Sequence, residues 1–170
     1  MKNILFFAHY NKYDLLQDYV LYLLDHIKHI YDRIVFISNS KIPDDKYENL
    51  AGLCHSVIIR ENKGFDFGAW KDALLREGWD KLTDYDTVTL MNDTCFGPLY
   101  DLYPVYEQME ARKTDFWGLT NYRTTGKTKL SRDGPPYVQS YFICFGKKII
   151  RSFTFQRFWN KVKYLEKYKK

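Results

Sequence analysis

Apolar positions along the chain follow two periods, and the switches between them mark the elements. Ile4 to Ala8 is an unbroken apolar run ending in His9, Tyr10 and Asn11, the pattern of a buried strand. Leu15, Leu16, Tyr19, Val20, Leu23, Leu24, Ile27 and Ile30 then recur at helical spacing. Asn11 or Asp14 is expected to cap that helix, with Gln17 three residues after Asp14 as in a capping box. Ile34–Ile37 and Val57–Ile59 read as short strands, with a turn at Pro43-Asp44-Asp45 between them. A helix is expected from Gly64–Gly68 to about Glu77, stopped by Gly78. Val88–Met91 is a fourth strand, and Leu99–Arg112 a helix opened by Pro98. Phe116–Leu119 is a short strand, and residues 121–136, rich in Gly and Pro, a long loop. Tyr137–Phe145 reads as one strand and Ile149 to about Lys167 as a final helix.

Strands alternating with helices predict an α/β fold, a mainly parallel central sheet flanked by helices on both faces. Such sheets bind ligands beyond the carboxyl ends of their strands. Four polar strand ends should therefore meet on one rim: His9-Tyr10, Ser38-Asn39-Ser40, Glu61-Asn62 and Asn92-Asp93. At 170 residues the chain is expected to be one domain, or a fragment of a longer protein.

Two stretches concentrate the chemistry: Asn62 to Trp70 (Asn-Lys-Gly-Phe-Asp-Phe-Gly-Ala-Trp) and Met91 to Pro98 (Met-Asn-Asp-Thr-Cys-Phe-Gly-Pro). Each joins small acids or amides to glycine, as a site for a polar ligand requires. Asp93, directly after an apolar strand, is a candidate ligand for Mg²⁺ or Mn²⁺, with Asn92 orienting it; a plain turn is the alternative. Asp66, between two glycines, is either a helix N-cap or a carboxylate for sugar or ribose hydroxyls, with Asn62 and Lys63 beside it. Arg60 or Lys63 can pair with phosphate. His9 and Asn39 stand at strand ends. Asp115 is either a general base for an acceptor hydroxyl or a solvated strand-start residue. Gln139, on an apolar strand, needs a partner and is a candidate acceptor contact. Arg123, Lys127, Lys129 and Arg132 either fold over a diphosphate or remain a solvated loop.

Composition narrows the partners. The net charge of +5 is uneven: residues 151–170 hold seven Lys or Arg against Glu166, and the remainder sums to −1. That argues against nucleic acid, which favours a basic stripe on the folded body, and leaves anionic lipid as a partner for the C-terminal segment. Aromatic residues make up 18%, either core or platforms for sugar rings. Three scattered cysteines provide no zinc or redox motif and suit a reducing compartment. The N-terminal apolar run is too short for a signal peptide, and no stretch is long enough to span a membrane, so a cytoplasmic protein, at most at the membrane's inner face, is expected.

Phe7 to Tyr10, Phe36 to Ser40, Arg60 to Trp70, Met91 to Pro98, Asp115 to Thr120 and Val138 to Phe142, in that order, resemble the rhamnan synthesis protein F family of bacterial polysaccharide glycosyltransferases. The resemblance implies a GT-A-like fold. It also implies transfer of L-rhamnose from dTDP-L-rhamnose to a growing cell-wall or surface polysaccharide, or to a lipid-linked glycan. It places Asn92-Asp93 where GT-A enzymes keep an Asp-x-Asp metal motif, of which only the last carboxylate is present here. A non-catalytic carbohydrate-binding domain on the same fold is the second expectation.

Overall fold

The computed structural model describes residues 1–122 and 136–166. A six-stranded sheet in the order β3-β2-β1-β4-β8-β5 forms the middle layer. Its strands are β1 (Asn3–His9), β2 (Arg33–Ser38), β3 (Ser56–Ile59), β4 (Thr87–Asn92), β5 (Phe116–Gly118) and β8 (Phe142–Gly146). β1 to β4 pair in parallel, and β8 runs antiparallel between β4 and β5. The expected mainly parallel sheet is therefore present. A separate two-stranded ribbon pairs β6 (Asn121–Tyr122) with β7 (Tyr137–Val138).

Helices cover both faces. Strand alternation sends Leu5 and Phe7 of β1 one way and Ile4, Phe6 and Ala8 the other. The first set packs under α1 (Asp18–Ile27), α2 (Asp44–Leu53) and α5 (Tyr103–Ala111); the second packs under α3 (Phe65–Glu77), α4 (Trp79–Leu82), α6 (Lys147–Ile150) and α7 (Phe153–Lys161). All seven residues of β1 are buried, as its unbroken apolar run requires for a strand enclosed by its neighbours.

Several expected boundaries move, each for a local reason. Asp14 does not cap α1: it adopts φ 55° and its carboxylate accepts from the Lys41 amide instead. The turn at Pro43 is the start of α2, whose first turn holds Asp44 and Asp45 and which buries only Leu50, too little apolar periodicity to read. α5 opens at Tyr103-Pro104, not at Pro98, which follows a cis peptide bond. The expected strand 137–145 breaks at Gln139–Tyr141, because Tyr137 and Val138 pair with the ribbon while β8 pairs with the main sheet. The expected last helix divides at Ser152, whose hydroxyl caps α7 by accepting from the Phe155 amide at 3.2 Å.

Candidate functional site

The strand order reverses direction of winding between β1 and β4. β1 leads outward to β2 and β3, and the chain then crosses back through α3 to enter β4 on β1's other side. At such a switch point the loops beyond adjacent strands part and leave a crevice. Here that switch point lies beyond His9 of β1 and Asn92 of β4, and α3 begins beside it.

Asn92 links the two motifs found in the sequence. Its Nδ2 donates to Asp66 Oδ2 at 2.8 Å, while its Oδ1 accepts from the Thr94 amide and hydroxyl at 3.2 and 2.7 Å. Asn92 is 4% exposed and spends its side chain on holding Asp66 and the Asp93 turn. Asp66 is not the N-cap of α3; that position belongs to Gly64, and the Asp66 carboxylate faces Asn92 across the crevice wall. Burial pushes the Asp66 carboxyl up, opposed by the bond from Asn92.

Asp93 is the most perturbed carboxylate. Burial, with the charge of Asp66 adding to it, lifts the carboxyl to about 6 against the stabilising bond from the Tyr10 amide at 3.3 Å. No lysine or arginine pairs with Asp66 or Asp93 among the described residues. His9 Nε2 stands 3.8 Å from Asp93 Oδ2, beyond hydrogen-bond length, and its Nδ1 is 3.0 Å from Ser38 Oγ. Burial lowers the imidazole to about 4, so His9 is neutral at pH 7 and contributes no cation. Tyr19, assigned from sequence to the helix stripe alone, donates its hydroxyl to the Asp93 carbonyl at 2.8 Å. Nothing but contact across the fold marks that role.

The other candidates separate into groups. Asn39 is buried and committed: Nδ2 donates to the Phe65 carbonyl, and Oδ1 accepts from Arg60 Nη1 at 2.6 Å. Arg60 is equally engaged, with Nε on Asp72 at 2.7 Å and Nη2 on the Lys63 carbonyl at 2.8 Å. It therefore clamps the Asn62–Gly64 loop and is not a free phosphate ligand. Asn62 Oδ1 is buried without a hydrogen-bond partner among the described residues. Lys63 points outward and pairs with Glu61 at 2.6 Å. Gln139 accepts from Thr120 Oγ1 and donates its amide to the Thr120 carbonyl, which ties down the β6–β7 ribbon. Trp70 is core, with Nε1 donating to the Met91 carbonyl at 3.2 Å. Arg123, Lys127, Lys129 and Arg132 lie outside the described residues.

Asp115 stands apart. Its carbonyl accepts from Gly146, which pairs with Thr87 at the start of β4. The whole of β4, about 17 Å at the rise of a strand, separates it from Asp93. Its carboxylate pairs with Lys148 at 3.0 Å. Asp115 thus lies at the opposite edge of the sheet from Asp93, in a surface ion pair, and not on the rim with Asp66 and Asp93.

The glycines also have a structural account. A Cβ on Gly68 would lie 2.1 Å from the Lys63 carbonyl oxygen, and Gly64 needs φ 78°. Tyr164 lies over both. These glycines serve close packing of the chain on itself at the start of α3.

Among the described residues no group of three or more His, Cys, Asp or Glu side chains gathers to hold a metal. Asp66 and Asp93 offer carboxylate oxygens, the donor type that a hard cation takes.

The profile of the family described as rhamnan synthesis protein F matches residues 34–170. Over 129 residues the chain is 26% identical to the uncharacterized protein y4gN of Sinorhizobium fredii, an alignment covering 76% of this chain and 32% of that protein. The chain thus spans about a third of the length of that curated relative. No described helix is long and apolar enough to cross a membrane.

Proposed function

The chain belongs to the rhamnan synthesis protein F family, which ties it to polysaccharide synthesis, and from that premise we propose a glycosyltransferase with a GT-A-like fold. The donor is an L-rhamnosyl nucleotide, dTDP-L-rhamnose, and the acceptor a growing bacterial polysaccharide or lipid-linked glycan. The observation that carries the proposal is the pair Asp66 and Asp93, bridged through Asn92 at the β1–β4 crevice and left without a cationic partner among the described residues.

In this reading Asp66 offers its second carboxylate oxygen to donor hydroxyls, since Asn92 occupies only Oδ2. Asp93 would hold Mg²⁺ or Mn²⁺, which would offset the phosphate charge and ease departure of the nucleoside diphosphate. The neutral His9 lies 3.8 Å from the Asp93 carboxylate and does not neutralise it. An acceptor hydroxyl attacks the anomeric carbon as the bond to the diphosphate breaks, and its proton passes to the departing diphosphate or to solvent. Positioning and charge stabilisation supply most of the acceleration.

Calorimetric titration of dTDP-L-rhamnose and other nucleotide-sugars, with and without Mn²⁺, tests this directly. Asp66→Ala and Asp93→Ala are each expected to abolish donor binding while the circular dichroism spectrum stays unchanged. Unaltered affinity in both variants would remove the site. Oligosaccharide binding with neither donor binding nor transfer would assign the fold to a carbohydrate-binding module instead.

A further inference from the structure

α7 presents two chemistries on its outward side. Phe155 and Trp159 turn inward and are 7% and 2% exposed. Phe153, Arg157 and Lys161, spaced four residues apart, fall along one outer stripe, and Phe158 lies on the flank next to it. Phe153 and Phe158 are 74% and 53% exposed, on a helix whose core side is already satisfied. Phe158 also borders an apolar groove of about 450 Å³ between α3, α7 and β8, lined by Phe67, Phe145 and Trp159 among others. Arg157 and Lys161 line the shallow depression beside that groove. Neither they nor Lys163 has a carboxylate partner among the described residues, so their charge is open to an anionic partner.

We propose that the outer side of α7, with Lys163 following it, is a docking surface for an anionic lipid bilayer. Aromatic rings beside unpaired cations are what an interfacial helix brings to a membrane: rings enter the headgroup boundary and cations meet lipid phosphates. The inner side of α7 remains on the protein core, so only a shallow contact is made and the anionic charge of the lipid is required as well as the rings.

The placement has a consequence for the crevice. After α7 the chain runs across the start of α3: Lys71 Nζ donates to the Val162 carbonyl at 2.6 Å, and the Gly64 amide donates to the Leu165 carbonyl at 3.0 Å. Gly64 is two residues from Asp66. A bilayer against α7 therefore lies beside the wall of the crevice, where a membrane-borne acceptor would arrive. The docking surface itself does not rest on the transferase reading, since a protein inactive with every nucleotide-sugar would still bind vesicles.

Co-sedimentation of the full chain with phosphatidylcholine vesicles, with and without phosphatidylglycerol, tests the surface. Binding is expected only to the anionic vesicles and is expected to weaken steeply with added salt. Replacing Arg157, Lys161 and Lys163 by Gln should lower partitioning about fivefold for each cation, roughly 100-fold together. Phe153→Ser with Phe158→Ser should lower it by at least about tenfold. All five side chains are away from the core, and a thermal melt confirms folding of each variant. Equal binding to both vesicle types, no binding, or partitioning unmoved by either set of variants overturns the proposal. So does a dimer in lipid-free solution that the Phe variants dissociate, which would give the face to a second copy of the chain.

Discussion

The two edges of the sheet use the same acid in opposite ways. At the edge where the parallel strands begin, carboxylates are paired. Asp86 accepts from the Lys2 amide at 2.8 Å and from Lys147 at 3.2 Å, and these partners hold its carboxyl below the usual range. Asp32 accepts from the Asn3 amide, Glu77 pairs with Arg33, and Asp115 with Lys148. At the edge where those strands end, Asp66 and Asp93 are largely buried and unpaired by any described cation, the charge of Asp66 acts on Asp93, and both carboxyls are raised. The first arrangement stabilises the fold. The second costs stability, a cost that the proposed donor site would explain.

Neutralising each edge separately breaks or sharpens that contrast, beginning with the largest effect. Asp93→Asn keeps the shape and the acceptor for the Tyr10 amide while removing a buried charge. The folded carboxyl titrates near 6 and the unfolded one near 3.8. Its favourable contribution is therefore complete below the unfolded value and is lost as pH rises through about 6. The variant should be more stable than the parent at pH 8 by up to about 3 kcal/mol, and equal to it at pH 3. Urea unfolding at several pH values checks this, and a variant no more stable at pH 8 would mean that the rim is not strained.

Asp86→Asn should act with the opposite sign. Its folded carboxyl is depressed, so its contribution is present above the unfolded value and disappears as pH falls through the folded one. Because the side chain is 41% exposed, the loss at pH 7 is expected to be no more than about 1 kcal/mol. The smallest effect belongs to Asp115→Ala: stability within about 0.5 kcal/mol of the parent and donor titration unchanged. A large loss of transfer from that substitution would show that the starting edge of the sheet takes part in the chemistry.

The comparison also shows how the site became legible. Asp93 is marked as a candidate by its place directly after an apolar strand, Asp66 by the glycines on either side of it, and Asp115 by its place before a strand. Sequence proximity to a strand does not say which edge of the sheet a residue occupies. Asp115 immediately precedes β5 and stands beside the end of antiparallel β8, so it falls on the far edge. Asn39 and Arg60, plausible ligands by type, are consumed by each other, and only their pairing at 2.6 Å reveals it. The glycines at 64 and 68 suggested close approach of a ligand, whereas the approaching atoms belong to Lys63 and Tyr164.

What the sequence determined by itself was the layering: an unbroken apolar β1, alternating strands and helices, and polar residues at the strand ends. Those follow from local periodicity, because a buried strand and an amphipathic helix each write their burial into neighbouring residues. What only the tertiary structure decided was pairing. The helix under Leu50, the division of 137–145 between two sheets, the bridge from Asn92 to Asp66 and the isolation of Asp115 all depend on contacts between distant segments. A side chain's partner across the fold sets its burial and its charge, and no periodicity along the chain encodes that partner.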